Sequence, residues 1–165
     1  MRPDFDTATN QAKSLRNSNP LYKQARPIKF SALLADLGLK LQHASKEQTG
    51  HDEALLDPQK RVIWILDNDK PLSRKLFSIA HEIGHWMLHS RDKCRPRAPS
   101  YELLDAVGKI EEQEANAFAA ELLMPYEEVA RCIFWGYSVA DLQRHFNVSY
   151  EFAQHRYNFV AIMEL

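Results

Sequence analysis

What this chain has little of narrows its class first. It holds two cysteines, Cys94 and Cys132, far apart and in no CxxC pattern. That excludes a disulfide scaffold and a thiolate zinc site, and it points to a reducing compartment. No apolar run approaches the length of a membrane span, and the opening residues, MRPDFDTATNQAK, contain no apolar leader core. The expected location is cytoplasmic. The net charge is −1, so no global field draws the protein to nucleic acid or to an acidic membrane. There is no internal repeat and no low-complexity segment. What remains is 165 residues, 45% apolar and 26% charged, the make-up of an ordinary single globular domain with a real core.

Against this plain background one stretch carries chemistry. Residues 81–85 read His-Glu-Ile-Gly-His within a helical run from Leu72 to His89. Four residues along an α-helix advance about 6 Å and return to the same face. Two imidazoles at that spacing can share one zinc ion, with Glu82 beside them as a general base. Leu72, Leu76, Ile79, Ala80, Ile83 and Met87 make the core face of this helix. His81, Glu82, His85 and His89 lie to its side, so the site sits at the edge of the core and is open to a substrate.

The rest of the chain reads as mainly helical with a small sheet. Residues 1–27 are net basic and poor in apolar anchors. Phe5, Ala8, Ala12 and Leu15 allow a short helix, but a solvated arm is expected. A helix over about 28–37 has Phe30, Leu33, Leu34 and Leu37 as its stripe and Gly38 as a C-cap. Strands are expected near 39–44, 53–57 and 61–66, the last (RVIWIL) being the clearest. The turn at 46–52 contains Gly50. Together they make a three-stranded, mostly antiparallel sheet. Residues 90–100 form a loop with Arg91, Lys93, Arg95 and Arg97. A helix over 109–124 follows, then helices near 126–135, 138–146 and 149–163.

Two histidines do not complete a catalytic zinc set, which uses three protein ligands. A metzincin would need Gly at 88 and His at 91, where Leu88 and Arg91 stand. His89 lies about 12 Å along the helix from His81, too far to share one ion with both histidines. It is expected in a supporting role. The third ligand is then a carboxylate of the 109–124 helix. Its apolar face, Ala115, Phe118, Ala119 and Leu122, leaves Glu111, Glu112 and Glu114 as candidates.

HEIGHWMLH followed by EQEANAFAAELLMP resembles the ImmA/IrrE family of zinc metallo-endopeptidases over roughly residues 28–126. The resemblance implies an α+β, mainly helical, zincin-like metallopeptidase domain. Residues 1–27 would precede the core at 28–126, and C-terminal helices at 127–165 would pack on it. By the same resemblance His81, His85 and Glu112 are the zinc ligands, with Glu114 in reserve. Glu82 is the catalytic base, and Asn116 and His89 support the ligands. Gly84 would let the second helix approach closely. The implied substrate is a helix-turn-helix repressor of a mobile element or a stress response.

In such a mechanism Glu82 takes a proton from water and passes it to the leaving amine. Tyr101, Tyr126, Tyr137, His145 and His155 are candidates for stabilising the oxyanion. Two other readings compete. The chain could be a non-catalytic zinc-binding regulatory protein, although a structural site needs no base. It could instead be a binding module acting through residues 139–160, which have a helix-turn-helix outline. From residue 131 onward Arg131, Arg144 and Arg156 are balanced by Asp141, Glu151 and Glu164, so direct DNA binding is not expected.

Overall fold

Two helices set the frame, and their amphipathic patterns explain why they meet. In the computed structural model, which describes residues 2–49, 53–92 and 101–165, the elements run in the order α1 (Phe5–Asn17), α2 (Pro20–Gln24), α3 (Phe30–Asp36), β1 (Lys40–Ala44), α4 (Lys46–Thr49), β2 (Ala54–Asp57), β3 (Val62–Leu66), α5 (Leu72–Leu88), a 3₁₀ turn at Tyr101–Leu103, α6 (Ala106–Leu123), α7 (Tyr126–Phe134), α8 (Val139–Phe146) and α9 (Tyr150–Met163). Gly50 and the loop residues Lys93, Cys94, Arg95 and Arg97 lie outside the described residues. No helix among the described residues is long and apolar enough to cross a membrane.

α5 buries Ile79, Ala80, Ile83, Gly84, His85 and Trp86. α6 buries Ala115, Phe118, Ala119, Leu122 and Leu123 against it. Gly84 is the point of closest approach. A Cβ there would lie 3.1 Å from both Cα and O of Ala115 and 3.2 Å from Cβ of Phe118. Glycine therefore lets the two backbones come within direct contact. α6 begins at Ala106 rather than at 109, because the Asp105 side chain accepts from the Gly108 N–H at 2.7 Å and caps the first turn.

The sheet has the order β1-β3-β2. β2 pairs β3 antiparallel, with Leu56 opposite Ile63, and β1 pairs β3 in parallel, with Leu41 opposite Ile63. The parallel ladder follows from the connection. The chain leaves β1 through α4 and β2 and returns along β3 between them. The central strand supplies Val62, Ile63 and Ile65 to the core. β1 is exposed except at Ala44. β2 is the edge strand beside α5.

The N-terminal segment departs from the solvated arm expected for it. α1 lies along α6 and buries Ala8 and Ala12 completely, and Tyr22 of α2 is 1% exposed. Small residues at i and i+4 let α1 approach α6 closely, a packing signal that a scarcity of large apolar residues hides. Arg16 crosses the interface and donates from Nη1 to the Leu122 carbonyl at 2.7 Å. At the other end, α7, α8 and α9 enclose a second cluster, built on Met124, Val129, Cys132, Leu142, Phe146, Val148, Ala153 and Val160. Ser138 and Asp141 form a capping box at the start of α8, and Asn147 ends it in the left-handed region at φ 53°. Arg156 ties α9 to α6 through the buried Glu121 carboxylate and the Met124 carbonyl.

Candidate metal centre

The helical repeat places His81 and His85 one turn apart on α5, and the contact at Gly84 brings α6 against that turn. Glu112 reaches across. Its Oε2 lies 3.1 Å from His81 Nε2 and its Oε1 lies 3.0 Å from His85 Nε2. The two Nε2 atoms are 3.0 Å apart. Among the described residues, His81, His85 and Glu112 each turn one ligand atom into a common space, all within 4.8 Å of one another. Two imidazole nitrogens and a carboxylate oxygen are the donor set of a hydrolytic zinc site.

The electrostatics agree with a site prepared for a cation. Burial pushes the Glu112 carboxyl up, but bonds and charge from His81 and His85 outweigh it and hold the group well below the usual carboxylate range. Burial likewise pushes His81 down. The Glu112 hydrogen bond and the nearby Glu82 and Glu112 charges more than reverse this, so its pKa is raised. Both effects come from the pairing of carboxylate with imidazole, in which each group favours the charged form of the other.

The remaining site candidates are placed as follows. Asn116, one turn beyond Glu112 on α6, holds His81 from behind, with Oδ1 2.9 Å from His81 Nδ1. His89 lies behind His85, its Nδ1 3.0 Å from His85 Nδ1. Glu114 is not in the cluster. Its Oε2 is 2.9 Å from His89 Nε2, and its Oε1 accepts from the Asp4 backbone N–H at 2.7 Å. Glu82 faces the edge of the sheet, where its Oε2 accepts from the Leu56 N–H at 2.9 Å.

A cleft of about 380 Å³ opens over the cluster, with His81, Glu82, Glu112 and Asn116 in its wall beside Glu53, Ala54, Arg74, Phe77 and Ser78. Tyr101, Tyr126, Tyr137, His145 and His155 do not line it. Tyr126 donates instead to Glu164 at 2.7 Å, and the Tyr101 hydroxyl accepts from Gln113. Arg74 also lines the cleft, 3.6 Å from Glu53, and was not among the candidates named from the sequence. Its signal was available: position 74 is seven and eight residues before 81 and 82, two turns along the same helical face.

With this geometry established, known proteins give a consistent picture. The family described as "Peptidase_M78: IrrE N-terminal-like domain" matches residues 34–158. Among curated proteins there is no match. Among solved structures the chain is similar to a Mycobacterium tuberculosis transcriptional regulator, at 19% identity and a TM-score of 0.62. That likeness of fold covers 92% of this chain and 46% of the other, so this chain spans about half the length of that structure.

Proposed function

Because the chain belongs to the IrrE/ImmA-like Peptidase_M78 family, we propose that it is a zinc-dependent endopeptidase acting on a regulatory protein in the cytoplasm. The convergence of His81, His85 and Glu112 beside Glu82 carries this reading. The donor set suits zinc, and the ring nitrogens that face away from the cluster are each engaged, His81 by Asn116 and His85 by His89. His81, His85 and Glu112 would hold the metal, which when bound supplies a Lewis acid at the scissile carbonyl. Glu82 receives a proton from the attacking water and delivers it to the leaving amine. Asn116 orients His81. The proposed substrate is a helix-turn-helix repressor, as the resemblance to ImmA/IrrE proteins implies.

The test is cleavage of a helix-turn-helix repressor co-expressed with this protein, with and without zinc, by the native chain and by Glu82→Gln. The variant should keep its zinc and lose at least about 100-fold in rate. Full activity in Glu82→Gln would remove Glu82 from the chemistry.

A second reading has one observation in its favour, that the similar Mycobacterium tuberculosis structure is described as a transcriptional regulator. In it, α7 to α9 would serve as the binding module. The charge distribution speaks against DNA as the partner. Arg156 is buried and paired with Glu121, and Arg144 is paired with Asp141, which leaves no basic stripe on α8 and α9. Salt-dependent DNA binding by the full chain would reverse this judgement.

A further inference from the structure

Among the described residues, the buried side-chain atoms that meet no hydrogen-bond partner both belong to Arg16: they are Nε and Nη2. This side chain is 5% exposed, so bulk water does not serve them. Nη1 is already used, donating to the Leu122 carbonyl at 2.7 Å. Nε and Nη2 form the side-on edge of the guanidinium, whose two parallel N–H bonds match two oxygens of one oxyanion. A guanidinium does not shed its proton to escape burial. Charged donors left unmet inside a protein are costly, so this edge calls for a partner.

The neighbouring carboxylates do not supply it. Glu128 Oε1 stands 3.9 Å from Arg16 Nη2, an ion pair too long to be a hydrogen bond. Glu128 Oε2 accepts instead from Arg26, from Nε at 3.0 Å and from Nη2. Glu121 is paired with Arg156 and accepts from the Tyr126 N–H at 3.2 Å. Where α1, α2, the end of α6 and α7 meet, Arg16 lines a pocket of about 210 Å³, together with Lys13, Lys23, Arg131, Glu121, Glu127 and Glu128. That space is larger than the roughly 30 Å³ taken by one water. Arg26 and Arg156 offset Glu128 and Glu121. The pocket is then left with Lys13, Arg16, Lys23 and Arg131 against Glu127, which is exposed. Such a surplus of positive charge suits a dianion.

We propose that this pocket binds a small oxyanion of the phosphate class, held side-on by Nε and Nη2 of Arg16 and surrounded by Lys13, Lys23 and Arg131. The ligand is either free phosphate or the phosphate group of a small molecule. The pocket shares no lining residue with the cleft over the metal cluster. Lys13, Arg16 and Lys23 also precede residue 34, where the family match starts. The site therefore stands apart from the peptidase reading. Its occupant would join α1 and α2 to α7, so binding should stabilise the fold.

The test is thermal unfolding and calorimetric titration of the metal-free full chain with inorganic phosphate, against chloride at equal ionic strength. The midpoint should rise with phosphate concentration, as binding to the folded state alone requires. No rise beyond the chloride control and no binding heat would overturn the proposal, because water alone would then fill the pocket. Acetate acting as well as phosphate would overturn the phosphate class. Glycerol 3-phosphate binding more tightly than phosphate would assign the site to a phosphorylated small molecule, and the reverse order to the free ion. Arg16→Lys keeps the charge and loses the two-pronged edge, so it should weaken phosphate binding at least about tenfold. Should that variant fail to fold, Lys13→Ala combined with Lys23→Ala decides. The double variant should unfold as the native chain does in chloride and respond less to phosphate. An undiminished response to phosphate in either variant would overturn the site.

Discussion

At the scale of single residues, the proposed centre sets protons against the metal it would hold. His81 is held in its protonated form more strongly than a free imidazole, by Glu112 and Glu82 against the opposing effect of burial. Metal binding must displace that proton. The Glu112 carboxyl is shifted the other way and stays ionised throughout the neutral range. Zinc affinity should therefore rise with pH through and above neutrality, with His81 as the group responsible, and fall as the solution is acidified. Competition titrations at several pH values check this. An affinity independent of pH between about 6 and 8 would contradict the raised pKa of His81. Asn116→Ala is not equivalent to lowering the pH, because it removes the bond at Nδ1 and leaves the proton at Nε2 to be displaced.

At the scale of elements, the decisive contact is that of α5 with α6 at Gly84. Both contribute side chains to the His81, His85 and Glu112 cluster, so their separation sets its size. Placing Val at 84 would drive side-chain carbons into Ala115 and Phe118, where even a Cβ lies at 3.1–3.2 Å. The expected cost is about 1–3 kcal/mol of stability, typical of overpacking, together with weaker zinc binding as Glu112 is pushed from the two histidines. Denaturant unfolding and zinc titration of Gly84→Val measure the two effects. Loss of stability without loss of affinity would mean that the helices separate elsewhere. This contact was legible as an expectation, since a glycine inside a helix invites a neighbour. The choice among Glu111, Glu112 and Glu114 was not legible from periodicity. These positions differ by one to three residues on one helix, and only the docking angle of α6 on α5 determines which carboxylate crosses over.

At the scale of the whole molecule, the N-terminal helices belong to the fold of the centre. Removing residues 1–27 would strip Ala8, Ala12, Arg16 and Tyr22 from their buried positions and uncover α6. Loss of the buried Tyr22 ring alone corresponds to about 3 kcal/mol or more. The truncated chain should unfold at a lower temperature and bind zinc less tightly, whereas a solvated arm could be removed without either change. Thermal unfolding of the two chains separates these outcomes. The C-terminal helices contribute differently. Their own cluster is joined to the larger core through Phe152, which packs against both, and through the Arg156–Glu121 pair.

The sequence by itself determined the local features of this protein. The 3.6-residue repeat put His81 and His85 on one face, the run RVIWIL made the central strand, and the caps at Asp105, Ser138 and Asn147 bounded the helices, because each depends on neighbours a few positions away. Tertiary structure alone decided what depends on residues distant in the chain. It brought Glu112 between two histidines some thirty positions earlier, turned Glu114 toward His89 and Asp4, and folded the first helices onto α6. The physical reason is the same in each case. Helical phase fixes the direction of a side chain around its own axis, but the packing of one helix against another fixes what that side chain meets.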